Sequence, residues 1–176
     1  MDTKNKKIIL LSHCILNSYS KVEYFYENEG IFKEVFQNLM KKNYGIIQLP
    51  CPENLYLGVN RWSMSREQYD SKIYREHCIN LINPVLNEVS NYINNGYEIK
   101  YVIGVKGSPS CGITKSRSSD NYGGEIINEK DYYSCKFISK MGIFMEEFFR
   151  LSREREINLF FVELDENEPN YLLSLL

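Results

Sequence analysis

The sequence is short of most of the features that mark a common function class. It has no excess of positive charge: 21 Lys and Arg stand against 23 Asp and Glu, a formal net charge of −2. No global basic field is available to hold nucleic acid, so no nucleic-acid partner is expected. No apolar run approaches the ~20 residues that span a bilayer, so no membrane partner is expected either. The opening MDTKNKKIILLSHC has a charged start, a short apolar stretch and no small-residue cleavage site. It reads as a strand rather than a signal peptide, and the expected location is cytoplasmic. No GxGxxG follows that first strand and no P-loop occurs anywhere, so nicotinamide, flavin and nucleotide fingerprints are all missing. The five cysteines (Cys14, Cys51, Cys78, Cys111, Cys135) are an odd number, which argues against a disulfide scaffold. There is no internal repeat and no linker, and 176 residues are enough for one domain, 1–176, with a real core.

What is present is alternation. Continuous apolar runs at 7–12 (KIILLS), 44–49 (YGIIQL), 98–106 (EIKYVIGVK) and 158–164 (NLFFVEL) read as strands covered on both faces. Between them, Ile31, Phe32, Val35, Phe36, Leu39 and Met40 recur at helical spacing. A longer amphipathic stretch from about 65 to 95 holds Tyr69, Ile73, Leu81, Leu86, Val89 and Ile93. Pro84 is expected to kink or split it, and Asn95-Gly96 to stop it. A further helix is expected from about Asp131 to Arg155, and the tail DENEPNYLLSLL is read as a short helix over a sheet edge. Strands alternating with helices mean right-handed βαβ units. The predicted fold is a Rossmann-like three-layer α/β/α sandwich around a small, mainly parallel four-stranded sheet. In such sheets ligands bind outside the carboxyl ends of the strands.

That rule sorts the cysteines. Cys14 follows the first strand (KIILLSHC), Cys51 the second (GIIQLPC) and Cys111 the third (YVIGVKGSPSC). Neighbouring strands are about 5 Å apart, so loops leaving three of them can gather three thiolates around one metal centre. Cys78 falls inside the long helix and Cys135 near the start of the last one, where a cysteine is ordinary apolar filler. Zinc bound by the three thiolates and a fourth ligand such as His13 is one option. His13 adjoins Cys14, however, and consecutive strand side chains diverge. An iron–sulfur cluster with three cysteines is the other option, leaving one iron open as a Lewis acid. Around the thiols, Pro50 and Pro52 stiffen the approach to Cys51, and Glu53 is close enough to share the pocket. Gly107 and Gly112 let the third loop turn sharply and approach a ligand, with the hydroxyls of Ser108 and Ser110 beside Cys111. In the plainer reading, Glu53 is a helix-start carboxylate and the two serines satisfy turn backbone.

SHCILN, LPCPE and GSPSCG, in this order and at these strand ends, resemble the TudS-like thiouracil desulfidase family and, more closely, its TudS-related branch. The likeness runs from the first strand to the fourth and includes GGE near Gly124 and GIFMEEF near Phe144. It implies a 4Fe–4S cluster bound by Cys14, Cys51 and Cys111, with the fourth iron free for the sulfur of a thiocarbonyl substrate. Such an open-iron cluster is exposed to oxygen, so zinc or an empty site is possible in aerobic preparations. It implies Glu53 as the catalytic carboxylate, and Ser108 or Ser110 as a second functional group. The implied partner is a small thiolated molecule, a thiolated base or thioamide, converted to its oxo product and sulfide. One departure stands out: better-known members carry a second cysteine soon after the first, and NSYSKVEYFYENEG has none. That cysteine is not a cluster ligand, so the departure bears on the substrate pocket. Two other readings stay beside this one. One is a metal-free sulfur transferase with Cys111 as nucleophile; the other is a non-catalytic iron–sulfur or zinc binding module.

Overall fold

In a computed structural model describing residues 6–22, 29–119 and 135–176, the four predicted strands form one parallel sheet. β1 is Lys7–Leu11, β2 Gly45–Gln48 and β3 Glu98–Val105. The last central strand is Phe161–Leu164, and the sheet order places it fourth: β2, β1, β3, Phe161–Leu164. A separate antiparallel pair, β4 (Ser116–Ser118) and β5 (Lys136–Ile138), precedes it in the chain, so the fourth strand is β6. The chain winds outward from β1 to β2 in one direction and from β3 to β6 in the other. The order therefore reverses between β1 and β3.

Strand side chains alternate between two cores. Ile8, Leu10 and Val102 face a layer built by α5 (Lys72–Asn94) and α6 (Ile143–Glu154), whose Ile82, Leu86, Phe144 and Phe148 are fully buried. Ile9, Leu11, Ile103 and Val105 face the other layer, made by α1 (His13–Leu16), α2 (Glu29–Lys41) and the tail helix α7 (Asn170–Leu175). The period of two along a strand divides its side chains between the layers. Two short helices, α3 (Pro52–Leu57) and α4 (Arg66–Tyr69), lie between β2 and α5. The three-layer α/β/α architecture follows. No helix among the described residues is long and apolar enough to cross a membrane.

Several expectations are corrected. Of the two outcomes expected at Pro84 the split does not occur: it lies inside the continuous α5, where losing one rung of the ladder is offset by an apolar face buried on both sides of the proline, at Cys78, Ile82, Val85 and Leu86. Gly96 ends that helix with φ +77°, as its position predicts. The last long helix starts at Ile143, so Phe137 and Ile138 belong to β5 instead, and Cys135 immediately precedes that strand. On α2, Val35 and Leu39 are buried but Phe36 and Met40 are exposed. The tail helix covers a sheet face, through Leu172 and Leu176, beside the β6 edge. Asp131 and the GGE stretch lie outside the described residues.

Candidate active site

The carboxyl ends of β2, β1 and β3 deliver Cys51, Cys14 and Cys111 in that spatial order, so Cys14 and Cys111 flank the point where the strand order reverses. This is where an open α/β sheet leaves a crevice. The strands are tied close to the site by Leu49 N–H donating to Leu11 O (2.8 Å) and Ser12 N–H to Ile103 O (2.9 Å).

Each cysteine is held differently. Cys14 is in the single turn of α1 rather than on a strand. Cys51 caps the amino end of α3, its thiol accepting from Asn54 N–H at 3.4 Å, with Pro52 as the first helical residue. Cys111 is in the turn after β3, and that turn folds back onto its own strand: Cys111 O accepts from Val105 N–H at 3.0 Å. Gly104 makes this possible. A Cβ there would stand 2.2 Å from Cys111 O and 2.8 Å from the Ile113 side chain. The loop's carbonyls then cap α6. Gly142, Ile143 and Met145 donate their N–H groups to Gly112, Pro109 and Ser110, so helix-end amides that would lack partners are satisfied by the cysteine loop. Gly142 presses against this loop, 2.4 Å from Ser110 C if it bore a Cβ.

The predicted loop glycines separate in role. Gly107 has φ +81° and is the left-handed position. Gly112 is not; a Cβ there would meet Lys115 O at 2.1 Å and Ser108 O at 2.8 Å, so it admits backbone rather than ligand. Ser108 Oγ accepts from Cys111 N–H (2.9 Å) and Ser110 N–H (3.3 Å), holding the turn. Ser110 is fully buried and shares a 2.9 Å hydrogen bond with the Tyr74 hydroxyl.

Electrostatics gather these groups. Burial pushes the Cys14 thiol up to about 12; the charges of Cys51, Glu166 and Glu53 add to the rise, and Lys21 opposes it. Cys51 is raised by burial and then by Glu53. Burial raises Cys111 well above its ordinary value, with the charges of Cys14, Cys51 and Glu53 reinforcing it. The three thiols therefore lie near enough to disfavour one another's thiolate forms. Cys78, deep in the core on α5, is raised to about 12 by burial, then by the charge of Glu147 and, less, of Glu53, so it lies behind the site.

Glu53 is in the first turn of α3, its side chain only 12% exposed. Its Oε2 accepts from Arg61 Nε at 3.1 Å. Arg61, also buried, donates to Ser20 O (2.7 Å) and Gly58 O (3.4 Å). Burial lowers the guanidinium's pKa, but the charges of Glu53 and Cys51 more than offset this and leave it raised. Sequence reasoning missed Arg61 because the pairing is made by folding: eight positions separate it from Glu53 across a helix end and a loop. A buried arginine is still a signal that a carboxylate is near.

The donor set can be tested against the group the motif implies. Three thiols with raised pKa values, Cys111 buried and Cys14 and Cys51 half-buried, need a strong local cation to become thiolates, and a bound metal centre supplies one. The Ser12 hydroxyl lies against Cys111, buried and without a well-formed hydrogen bond among the described residues, ready to donate to a thiolate. Among the described residues no three His, Cys, Asp or Glu side chains meet closely enough to hold a single metal ion. A cluster whose irons take separate thiolates needs no such point. The residues fit the cluster.

The family model described as "Putative 2-thiouracil desulfurase" matches residues 6–172. The chain belongs to that family. An uncharacterized protein of Methanocaldococcus jannaschii is 38% identical over 168 residues, 96% of this chain and 92% of that one. The solved structure of the 4Fe–4S-dependent thiouracil desulfidase TudS is similar with a TM-score of 0.51 at 19% identity, over 97% of this chain and 99% of the other. At that identity the likeness speaks for the fold, and it agrees with the three-layer sandwich.

Proposed function

We propose that this family member is a desulfidase: it converts a thiocarbonyl compound, a thiouracil-like base or a thioamide, to the oxo product and sulfide. What supports this is the placement of Cys14, Cys51 and Cys111 after three adjacent parallel strands, with the charge of Glu53 acting on all three thiols. In this reading Cys14, Cys51 and Cys111 hold a 4Fe–4S cluster, and that group supplies an open iron as Lewis acid for the substrate's sulfur.

The chain's own residues supply the rest. Glu53 removes a proton from a water whose oxygen bonds to the thiocarbonyl carbon. Arg61 grips Oε2 and leaves the other carboxylate oxygen for that water. Ser108 Oγ accepts two loop amides and keeps its own hydrogen, with which it hydrogen-bonds the substrate; Ser110 is engaged with Tyr74 and supports the wall behind it. The C–S bond then breaks and both electrons leave with sulfur; the added hydroxyl loses its proton as the carbonyl forms, and that proton and the one held by Glu53 both go to the sulfide. Water and thiocarbonyl balance carbonyl and hydrogen sulfide, and no electron donor is required. A metal-free Cys111 nucleophile would need a lowered thiol pKa, the opposite of what burial and its neighbours impose.

Anaerobic reconstitution with iron and sulfide, followed by incubation with 2-thiouracil, tests the reading. Equimolar uracil and hydrosulfide are expected. An intact cluster with no turnover across thiolated bases and thioamides would leave a binding module instead.

A further inference from the structure

Tyr69 enters the sequence as one apolar position of a helix, yet its place is polar. It ends α4 with 1% exposure, and its hydroxyl has no hydrogen-bond partner among the described residues. Buried hydroxyls are ordinarily satisfied, so one that is not invites a ligand. Its ring packs on Tyr74 at 4.7 Å between centroids and 35°, and Tyr74 in turn holds Ser110 of the cysteine loop. Glu53 is the neighbouring acceptor: its charge and a distorted side-chain hydrogen bond both act on the phenol, but no hydrogen bond of normal geometry joins the two. Arg61, whose Nε is committed to Glu53 and whose other nitrogens go to Ser20 and Gly58, leaves this hydroxyl alone as well.

We propose that Tyr69 is a specificity-determining residue, donating its hydroxyl hydrogen to a ring carbonyl oxygen of a planar thiolated heterocycle seated between Glu53 and the cysteine loop. The proposal rests on the desulfidase reading and sharpens its substrate class. Burial and the nearby carboxylate both raise the phenol's pKa, so it keeps its proton across the neutral range and acts as a donor. A thiocarbonyl alone offers one polar handle, which the reaction consumes. A second handle, elsewhere on the ring, is what an otherwise unpartnered donor would select.

The experiment crosses residue with substrate: wild-type and Tyr69→Phe enzymes, cluster-loaded, on 2-thiouracil and on pyrimidine-2-thione, which lacks the ring oxygen. For 2-thiouracil the variant's KM should rise about ten-fold with kcat little changed, the weight of one neutral hydrogen bond. For pyrimidine-2-thione the two enzymes should match. The wild type alone should prefer 2-thiouracil by a similar factor, which keeps the idea testable if the variant folds poorly. Calorimetry should show uracil binding weakened by the same factor, independently of turnover. Equal losses on both substrates would mean that Tyr69 acts through Glu53, and no loss would mean that it touches nothing; either overturns the proposal. If neither thione reacts, the desulfidase reading fails, while wild-type uracil binding that weakens in the variant would still uphold the contact, and absent uracil binding would sink it.

Discussion

The rim above the sheet has two halves built from the same elements, strand ends and the loops that leave them. Over β6, the charged groups are paired. Glu163 takes the N–H groups of Ile113 (2.8 Å) and Thr114 (2.9 Å) and the Thr114 hydroxyl, Lys106 pairs with Asp165, and the cavity there, about 290 Å³, is lined by those residues with Phe161, Tyr171 and Leu172. Over β2, β1 and β3 the opposite holds. Three thiols sit where burial and their neighbours oppose ionisation, and the hydroxyls of Ser12 and Tyr69 are buried without well-formed hydrogen bonds among the described residues. A fold gains nothing from that second arrangement by itself. The β6 half is closed upon its own charges; the cysteine half is arranged for something that arrives from outside.

The largest expected effect breaks the cysteine half outright. Cys14→Ala, Cys51→Ala and Cys111→Ala should each lose most reconstituted iron and all desulfuration. Cys78→Ala and Cys135→Ala should keep the iron content of the wild type. Iron and sulfide analysis after anaerobic reconstitution checks this, and an iron-replete Cys14 variant would contradict the three-cysteine assignment. Glu53→Gln comes next. Removing the base while keeping its shape should lower kcat by about 10²-fold, the lower end of general-base contributions, with iron retained. Iron loss would make Glu53, with Arg61, a structural pair.

How much of this asymmetry the sequence displays depends on the range of the contacts. The four strands are legible because each is a continuous apolar run, and the cysteines stand out because each follows such a run. Glu53 is legible through its two-residue distance from Cys51. The β4–β5 pair is silent, since SRS and KFI are three-residue segments with no period to read. The helix expected from Asp131 fails for the same reason: Phe137 and Ile138 have helical spacing to later residues but are held in β5 by Arg117 and Ser116. Gly104 reads as an ordinary strand glycine, and only the returning Cys111 carbonyl explains it. Arg61 and Tyr69 acquire their meaning from partners that folding brings, or fails to bring.

The β6 half should respond in stability and not in chemistry. Glu163→Gln keeps the side chain's size but weakens charge-assisted bonds to two amides and a hydroxyl, at a cost of about 1.5–3 kcal/mol. Denaturant unfolding should show that loss, with iron content and kcat near wild type. A fall in iron without a fall in stability would mean that the two halves are one site.

The smallest effect is dependent on pH. Burial raises the Asp165 carboxyl, but the Lys106 ammonium and the N–H groups of Asn167 and Glu168 more than offset it, leaving it below its ordinary value near 3.8. A carboxylate depressed in the folded state contributes stability that is fully present above its unfolded pKa and is lost as pH falls through the folded one. Lys106 is about one-third exposed, so screening limits the contribution to about 1 kcal/mol. Asp165→Asn should therefore lower the melting temperature at pH 7 by about 2–4 °C. The gap between wild type and variant should hold down to about pH 4 and narrow below it as the folded carboxyl takes up its proton. A gap that did not narrow on acidification would mean that the asparagine disturbs the turn itself. A gap absent at pH 7 would mean that this half of the rim is closed by Glu163 alone.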